Sequence, residues 1–183
     1  MRKFLITCSA LLALSGFAQA TEVNITTNKG DIRVELYDEV VPNTVANFLR
    51  YVDEGFYEGT IFHRVIRGFM IQGGGFDSDL GRKDVHQPIA YEGYNSPANN
   101  RGTLAMARTQ APDSATSQFF INHVDNSFLN HGARGGAGYT TFGHVISGLD
   151  VVDSIAGVAV RNVGPYQNVP SEPVVIESIT RVN

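Results

Sequence analysis

The chain has 183 residues, a formal charge of -4, one cysteine and no tryptophan. Acidic residues outnumber basic ones 18 to 14, so nucleic acid is not an expected partner, and a single cysteine excludes a disulfide framework. At the start, Arg2 and Lys3 precede a short apolar run and then Ala18-Gln19-Ala20, a small-x-small cleavage pattern. Residues 1–20 therefore read as an export signal and Thr21 as the mature start, with Cys8 lost in processing. The apolar run is shorter than the roughly 20 residues a membrane span needs, so no membrane anchor is expected. Arg2 and Lys3 are the only charges removed, which leaves 12 basic and 18 acidic residues and a net of -6. Residues 21–183 suffice for one domain, exported and, in a Gram-negative host, periplasmic.

The first element is a hairpin. Val23, Ile25 and Thr27 alternate with polar residues, Asn28-Lys29-Gly30 turns the chain, and Ile32, Val34 and Leu36 alternate again. After Pro42, the spacing of Val45, Phe48, Leu49 and Val52 predicts an amphipathic helix over 43–54, stopped by Gly55. Strands are expected at 60–66, 68–72, 102–107, 118–122, 140–146 and 173–181, with a second helix at 148–156. Many short strands, glycine-rich connections and two helices favour a closed or nearly closed β-barrel capped by helices, an arrangement without exposed sheet edges. Strand parity puts Met70 and Gln72 on one face, and Gln118, Phe120 and Asn122 on another. If those faces meet outside the barrel, they form an apolar floor rimmed by amides that suits an extended peptide; the alternative is that the aromatic residues are plain core.

Familiar catalytic signatures are missing from the sequence. The five histidines, at 63, 86, 123, 131 and 144, have no zinc-ligand spacing, and "HGARGGAG" and "GRKD" lack the Lys-Ser/Thr ending of a phosphate loop. No metal or other cofactor is expected. Ser114, Ser117 or Ser127 with His123 and an aspartate would make a hydrolase, but no Gly-x-Ser-x-Gly elbow accompanies them. Asn24-Ile25-Thr26 is a glycosylation sequon, which matters only where that machinery exists.

Three ordered segments carry more information: "FHRVIRGFMIQGG" at 62–74, "GTLAMAR" at 102–108 and "SQFFIN" at 117–122. With them the chain resembles the cyclophilin-type peptidyl-prolyl cis-trans isomerases, over essentially all of residues 21–183. The export signal and "HGARGGAGY" are similar to the bacterial periplasmic branch. The resemblance implies a mainly β fold, a closed eight-stranded antiparallel β-barrel capped by two α-helices, with the site on its outer face. It implies that Arg64 is catalytic, assisted by Gln72. Phe69, Met70, Phe120 and Leu129 would hold a proline ring, with Met106, Ala107, Arg108 and Gln118 supporting the substrate. Tyr139 falls near the family's pocket histidine, and Phe128 stands where many relatives have tryptophan, so cyclosporin binding is expected to be weak. The implied partners are proline-containing unfolded or partly folded polypeptides, bound by a monomer. The alternative is a proline-peptide-binding chaperone or adaptor with incidental turnover.

Overall fold

The computed structural model describes residues 20–182; the expected signal segment, but for Ala20, lies outside the described residues. Two strands, β1 (Glu22–Thr27) and β2 (Gly30–Leu36), form the expected hairpin, with Ile25 opposite Ile32. Helix α1 (Pro42–Asp53) follows, opened by a proline whose fixed φ and missing N–H suit a first turn. Then come β3 (Thr60–Ile61), β4 (Arg64–Ile66), β5 (Met70–Gly73), β6 (Thr103–Met106), β7 (Phe119–Asn122) and β8 (Thr141–Ser147). Short 3₁₀ turns at Pro112–Ser114 and Ser127–Leu129 flank β7. Helix α2 (Leu149–Ala156), β9 (Val160–Val163), β10 (Tyr166–Pro170) and β11 (Val175–Val182) complete the fold.

Nine strands make one sheet in the order β3-β11-β1-β2-β8-β6-β7-β5-β4, and β9 and β10 form a separate hairpin. The expectation of a closed eight-stranded barrel is therefore wrong: the sheet is an open half-barrel whose two edges are β3 and β4. The cause lies in the segment expected as one strand over 60–66. Phe62 and Val65 both belong to the core, three positions apart, whereas a continuous strand repeats every two. Parity slips at Phe62-His63, where the strand breaks. β3 then pairs with β11 while β4 pairs with β5, so consecutive pieces of chain become opposite edges. The β3 and β5 backbones still pass close together. A Cβ on Gly73 would lie 2.8 Å from the Ile61 carbonyl oxygen, so only glycine fits there.

Inside the curl is a continuous apolar core. Phe48 of α1 packs on Phe142 at 5.0 Å, on Tyr57 at 5.4 Å and edge-on to Phe119 at 5.7 Å between ring centroids. These geometries favour aromatic pairs beyond their area alone. Val152, Ile155 and Ala156 bury one face of α2. Strands β5, β6 and β7 send Ile71, Leu104, Met106, Phe119 and Ile121 into this core. Alternation must then point their other residues outward, which builds the site.

Candidate active site

Register alone lines up four side chains. Arg64 on β4 pairs with Gln72 on β5, Gln72 with Phe120 on β7, and Phe120 with Ala105 on β6. All four occupy one cross-strand row on the outer face. Two residues along, Met70 lies opposite Asn122 on the same face. Met70, Ala105, Phe120 and Leu129 form a small apolar cluster separate from the main core, with Phe69, Ala107 and Tyr139 packed against it.

Over this cluster opens a cavity of about 210 Å³. Of the expected residues, Arg64, Phe69, Met70, Gln72, Ala107, Arg108, Phe120, Leu129 and Tyr139 line it. Phe120 meets Tyr139 edge-on at 5.5 Å, and Arg108 lies over the Tyr139 ring at 4.7 Å. The Arg64 guanidinium sits 6.0 Å from the Phe69 ring centroid and has one long contact, Nη1 to Gln72 Oε1 at 3.5 Å. Gln72 Nε2 donates onward to Gln118 Oε1 at 3.1 Å. Arg64 is thus half-buried, lines the cavity and has no carboxylate partner among the described residues.

Three expected residues sit elsewhere. Met106 is a correction: it faces inward opposite Phe119, because alternation on β6 turns Ala105 and Ala107 outward instead. Phe128 is exposed and stacks on the outer side of Phe69 at 5.7 Å, so it borders the site without lining the cavity. Gln118 lines an adjoining groove that shares Gln72, Ala107 and Arg108 with the cavity. A Cβ on Gly75 would come 2.4 Å from the Gln118 side chain, so this second glycine leaves it room.

The walls are held by amides that the sequence reading passed over. Asn126 Nδ2 donates to the Phe69 carbonyl at 2.9 Å and to Asn122 Oδ1 at 2.8 Å. Its own carbonyl accepts from the Leu129 N–H at 2.8 Å. Asn99 Nδ2 donates to the Tyr139 carbonyl at 3.2 Å, and Asn130 Oδ1 accepts from the Asn99 N–H at 2.7 Å. Asn99, Asn122 and Asn126 are almost wholly buried, where satisfied amides fix a unique geometry. Parity drew attention only to Asn122; asparagines in turns carry no signal that separates a buried brace from a solvated loop.

Two members of the hydrolase alternative, His123 and Ser114, are engaged locally. His123 Nδ1 accepts from the Gly68 N–H at 3.1 Å and its Nε2 meets Asp153 at 3.1 Å, so neither nitrogen is free to activate a serine. Ser114 Oγ donates to the Ala111 carbonyl at 2.6 Å. Among the described residues no three His, Cys, Asp or Glu side chains gather as metal ligands, and no helix is long and apolar enough to cross a membrane.

Comparison with known proteins agrees with this geometry. The family model for cyclophilin type peptidyl-prolyl cis-trans isomerases matches residues 22–181. The chain belongs to this family, and its reaction is the cis–trans isomerisation of Xaa–Pro bonds in polypeptides. It is 51% identical to peptidyl-prolyl cis-trans isomerase A of Dickeya dadantii, over 97% of this chain and 96% of that protein. Against peptidyl-prolyl cis-trans isomerase B of Escherichia coli it is 56% identical, over 86% of this chain and 98% of the relative. A cyclophilin type isomerase structure from Cryptosporidium parvum superposes with a TM-score of 0.75 at 28% identity, over 90% of this chain and 98% of that one. A second structure of that protein, in the presence of the dipeptide Ala-Pro, gives 0.74 at 28% identity over 88% and 99%.

Proposed function

We propose that Arg64 supplies the transition-state contact for isomerisation and that the cavity formed by Phe69, Met70, Phe120 and Leu129 takes the proline ring. Rotation about an Xaa–Pro bond loses amide resonance, at a cost of about 18–20 kcal/mol. No covalent bond breaks. In the twisted state the proline nitrogen regains a lone pair, and a permanently charged guanidinium donates to it more strongly than to the planar amide. Gln72, bridged to Gln118, holds the guanidinium side of the site and contacts the moving carbonyl. The carrying observation is the row Arg64–Gln72–Phe120, which sets the cation at the edge of a cavity floored by apolar side chains, with no acidic side chain in its lining among the described residues. The Ala-Pro present with the Cryptosporidium protein supports a proline-sized ligand here.

Arg64→Ala should lower kcat/KM by about two to three orders of magnitude, the scale of removing one preorganised donor, while the melting temperature holds. The measurement is exchange of a proline peptide by the purified mature chain. Near-normal exchange by the folded variant would defeat the assignment. Retained peptide binding without exchange by the wild type would favour an adaptor.

The working compartment belongs to the same proposal. The N-terminal pattern supports cleavage after Ala20 and action on exported polypeptides, in the periplasm of a Gram-negative host, by a monomer. Thr21 is where the chain enters the fold: its N–H donates to Asp38 Oδ2 at 2.9 Å and its carbonyl accepts from the Leu36 N–H at 2.8 Å. Cleavage would turn that donor into an ammonium facing a carboxylate. Intact mass of the exported protein should correspond to a Thr21 start; a major species retaining Met1 would exclude it.

Weak cyclosporin binding follows from Phe128, which offers an aromatic face without the indole N–H donor. Phe128→Trp should tighten drug binding about tenfold or more in titration, the worth of one unpaired carbonyl regaining its partner. Tight binding by the wild type with no gain in the variant would remove position 128 from this role.

A further inference from the structure

The ten arginines of residues 21–183 fall into two sets. Arg33, Arg50, Arg101 and Arg181 each meet a carboxylate at 2.5 to 3.1 Å. Five of the other six surround the site. Arg64 and Arg108 line the proline cavity, and Arg82 joins Arg108 in the adjoining groove. Arg134 lies over the Phe128 ring at 5.0 Å, and Arg67 precedes Gly68-Phe69 in the β4–β5 turn. None of these five makes an ion pair among the described residues. In a segment with 18 acidic residues against 12 basic ones, carboxylate partners are plentiful, yet among the arginines of the described residues only Arg161 outside the site also lacks one.

The groove itself is about 140 Å³ and is lined by Arg82, Arg108, Thr109, Ser114, Thr116 and Gln118, beside the wall it shares with the cavity. Among the described residues no acidic side chain lines it or the cavity. Arg108 is fixed in place: Nε donates to the Gly138 carbonyl at 2.7 Å, and Nη1 to the Thr109 and Gln110 carbonyls at 2.8 and 3.2 Å. Its Nη2 hydrogens remain for a ligand. Of the carboxylates nearby in sequence, Asp113 and Asp77 are turned to their own loops. Asp113 accepts from the Tyr91 N–H at 2.7 Å, and Asp77 from the Asp79 and Gly81 N–H groups at 3.0 and 2.8 Å.

We propose that this groove selects substrates with an acidic side chain within two residues of the proline, with Arg82 and Arg108 as the specificity-determining pair. The proposal rests on the isomerase reading of the cavity. An extended chain advances about 3.3–3.6 Å per residue, so a residue one or two places from a seated proline reaches a groove that shares a wall with its pocket. A carboxylate there meets two positive charges, with the Thr116 hydroxyl and the Gln118 amide as further donors. A lysine meets repulsion.

The test is a set of proline peptides with Glu, Gln or Lys at each of the two positions before and after the proline, assayed with the mature chain. At one or more positions kcat/KM should rank Glu above Gln above Lys, by about two- to fivefold per step at low salt, as for solvent-exposed charge pairs. The ratio should shrink toward one at about 1 M salt, where the screening length falls to roughly 3 Å. It should also collapse in Arg82→Gln and persist in Lys29→Gln, which removes the same charge from the β1–β2 turn. Equal turnover of Glu and Gln peptides at all four positions overturns the proposal, as does a preference that survives both high salt and Arg82→Gln. Turnover of the neutral peptides keeps the two readings apart. If they are isomerised without any preference, only the acidic selection fails; if they are not isomerised at all, the cavity reading fails and takes this one with it.

Discussion

The inner and outer faces of β5, β6 and β7 are built from the same twelve residues, yet they answer to different demands. Inside, Ile71, Leu104, Met106, Phe119 and Ile121 are shut away from water in the continuous apolar core. Outside, Met70, Ala105 and Phe120 are almost equally buried, but they share their face with Gln72, Asn122 and Arg64. The inner face needs volume filled; the outer face needs a shape held open, and buried amides do that where apolar packing would close it. Burial alone therefore does not separate core from site. What separates them is whether polar groups brace the walls.

Adjacent phenylalanines give the sharpest test. Phe119 is fully buried between Phe48, Tyr57 and Phe62, so Phe119→Ala should destabilise the fold by about 3–5 kcal/mol in urea denaturation. Phe120→Ala should cost roughly 1–3 kcal/mol, because the space it vacates joins the existing cavity and fills with water, but it should raise KM by about tenfold. Equal destabilisation by the two variants, with KM unchanged in both, would erase the distinction between the faces.

His63 marks the seam where one face passes into the other. It follows Phe62 of the core and precedes Arg64 of the site, packs on Phe76 at 4.6 Å, and leaves Nδ1 buried without a partner. Burial first, and then the Arg64 guanidinium, push its imidazole from the ordinary 6.5 down to about 4. The folded value lies below the unfolded one, so the neutral ring's contribution is complete above pH 6.5. It drains away as pH falls toward 4, where the folded protein finally binds the proton too. That window corresponds to a loss on the order of 3 kcal/mol. Denaturation of wild type and His63→Gln between pH 7.5 and 4 should show the steeper decline in wild type; parallel slopes would mean that His63 is not held neutral.

How legible this was in the sequence depended on which residues followed a simple period. The β1–β2 hairpin and both helices were readable because Val23, Ile25, Ile32 and Val34, or Val45, Phe48 and Val52, recur as geometry requires. The β9–β10 hairpin was missed because Val160, Arg161 and Asn162 are all exposed and no alternation exists to read. Arg64 is the instructive case. Unbroken parity from Phe62 would have sent it into the core, and only the resemblance carried by "FHRVIRGFMIQGG" placed it at the site; the slip at His63 is the physical reason the resemblance won. The Met106 assignment failed the other way, because a motif names neighbours while the pleat decides which one faces the ligand. The braces Asn99, Asn126 and Asn130 gave no sign, since Asn126 reaches Phe69 57 residues away and Asn99 meets Asn130 and Tyr139 31 and 40 residues away, across loops whose course no local pattern dictates.

The smallest expected effect belongs to the inner face, at the start of the helix that seals it. Val41 offers α1 no capping side chain, and the orphan N–H groups are met instead by Glu92, 49 residues beyond Asn43. Its carboxylate accepts from the Asn43 N–H at 3.2 Å, Asn43 Nδ2 at 2.7 Å, the Thr44 N–H at 2.7 Å and Thr44 Oγ1 at 2.6 Å. Burial pushes this carboxyl upward, but the hydrogen bonds from Thr44 and Asn43 outweigh it and leave it below the ordinary 4.5. With the folded value below the unfolded one, the stabilisation is present above pH 4.5 and is lost as pH falls through the folded value. Glu92→Gln keeps an acceptor but removes the charge at the positive end of the helix, so it should cost about 1 kcal/mol at pH 7, or some 2–4 °C in melting temperature. The gap should close below the titration, while isomerase activity stays within about twofold throughout, because α1 packs on the face away from the substrate. A gap that persists unchanged to pH 3 would show that Glu92 acts by shape. A loss of activity larger than the loss of stability would show that the inner face reaches through the sheet to the site.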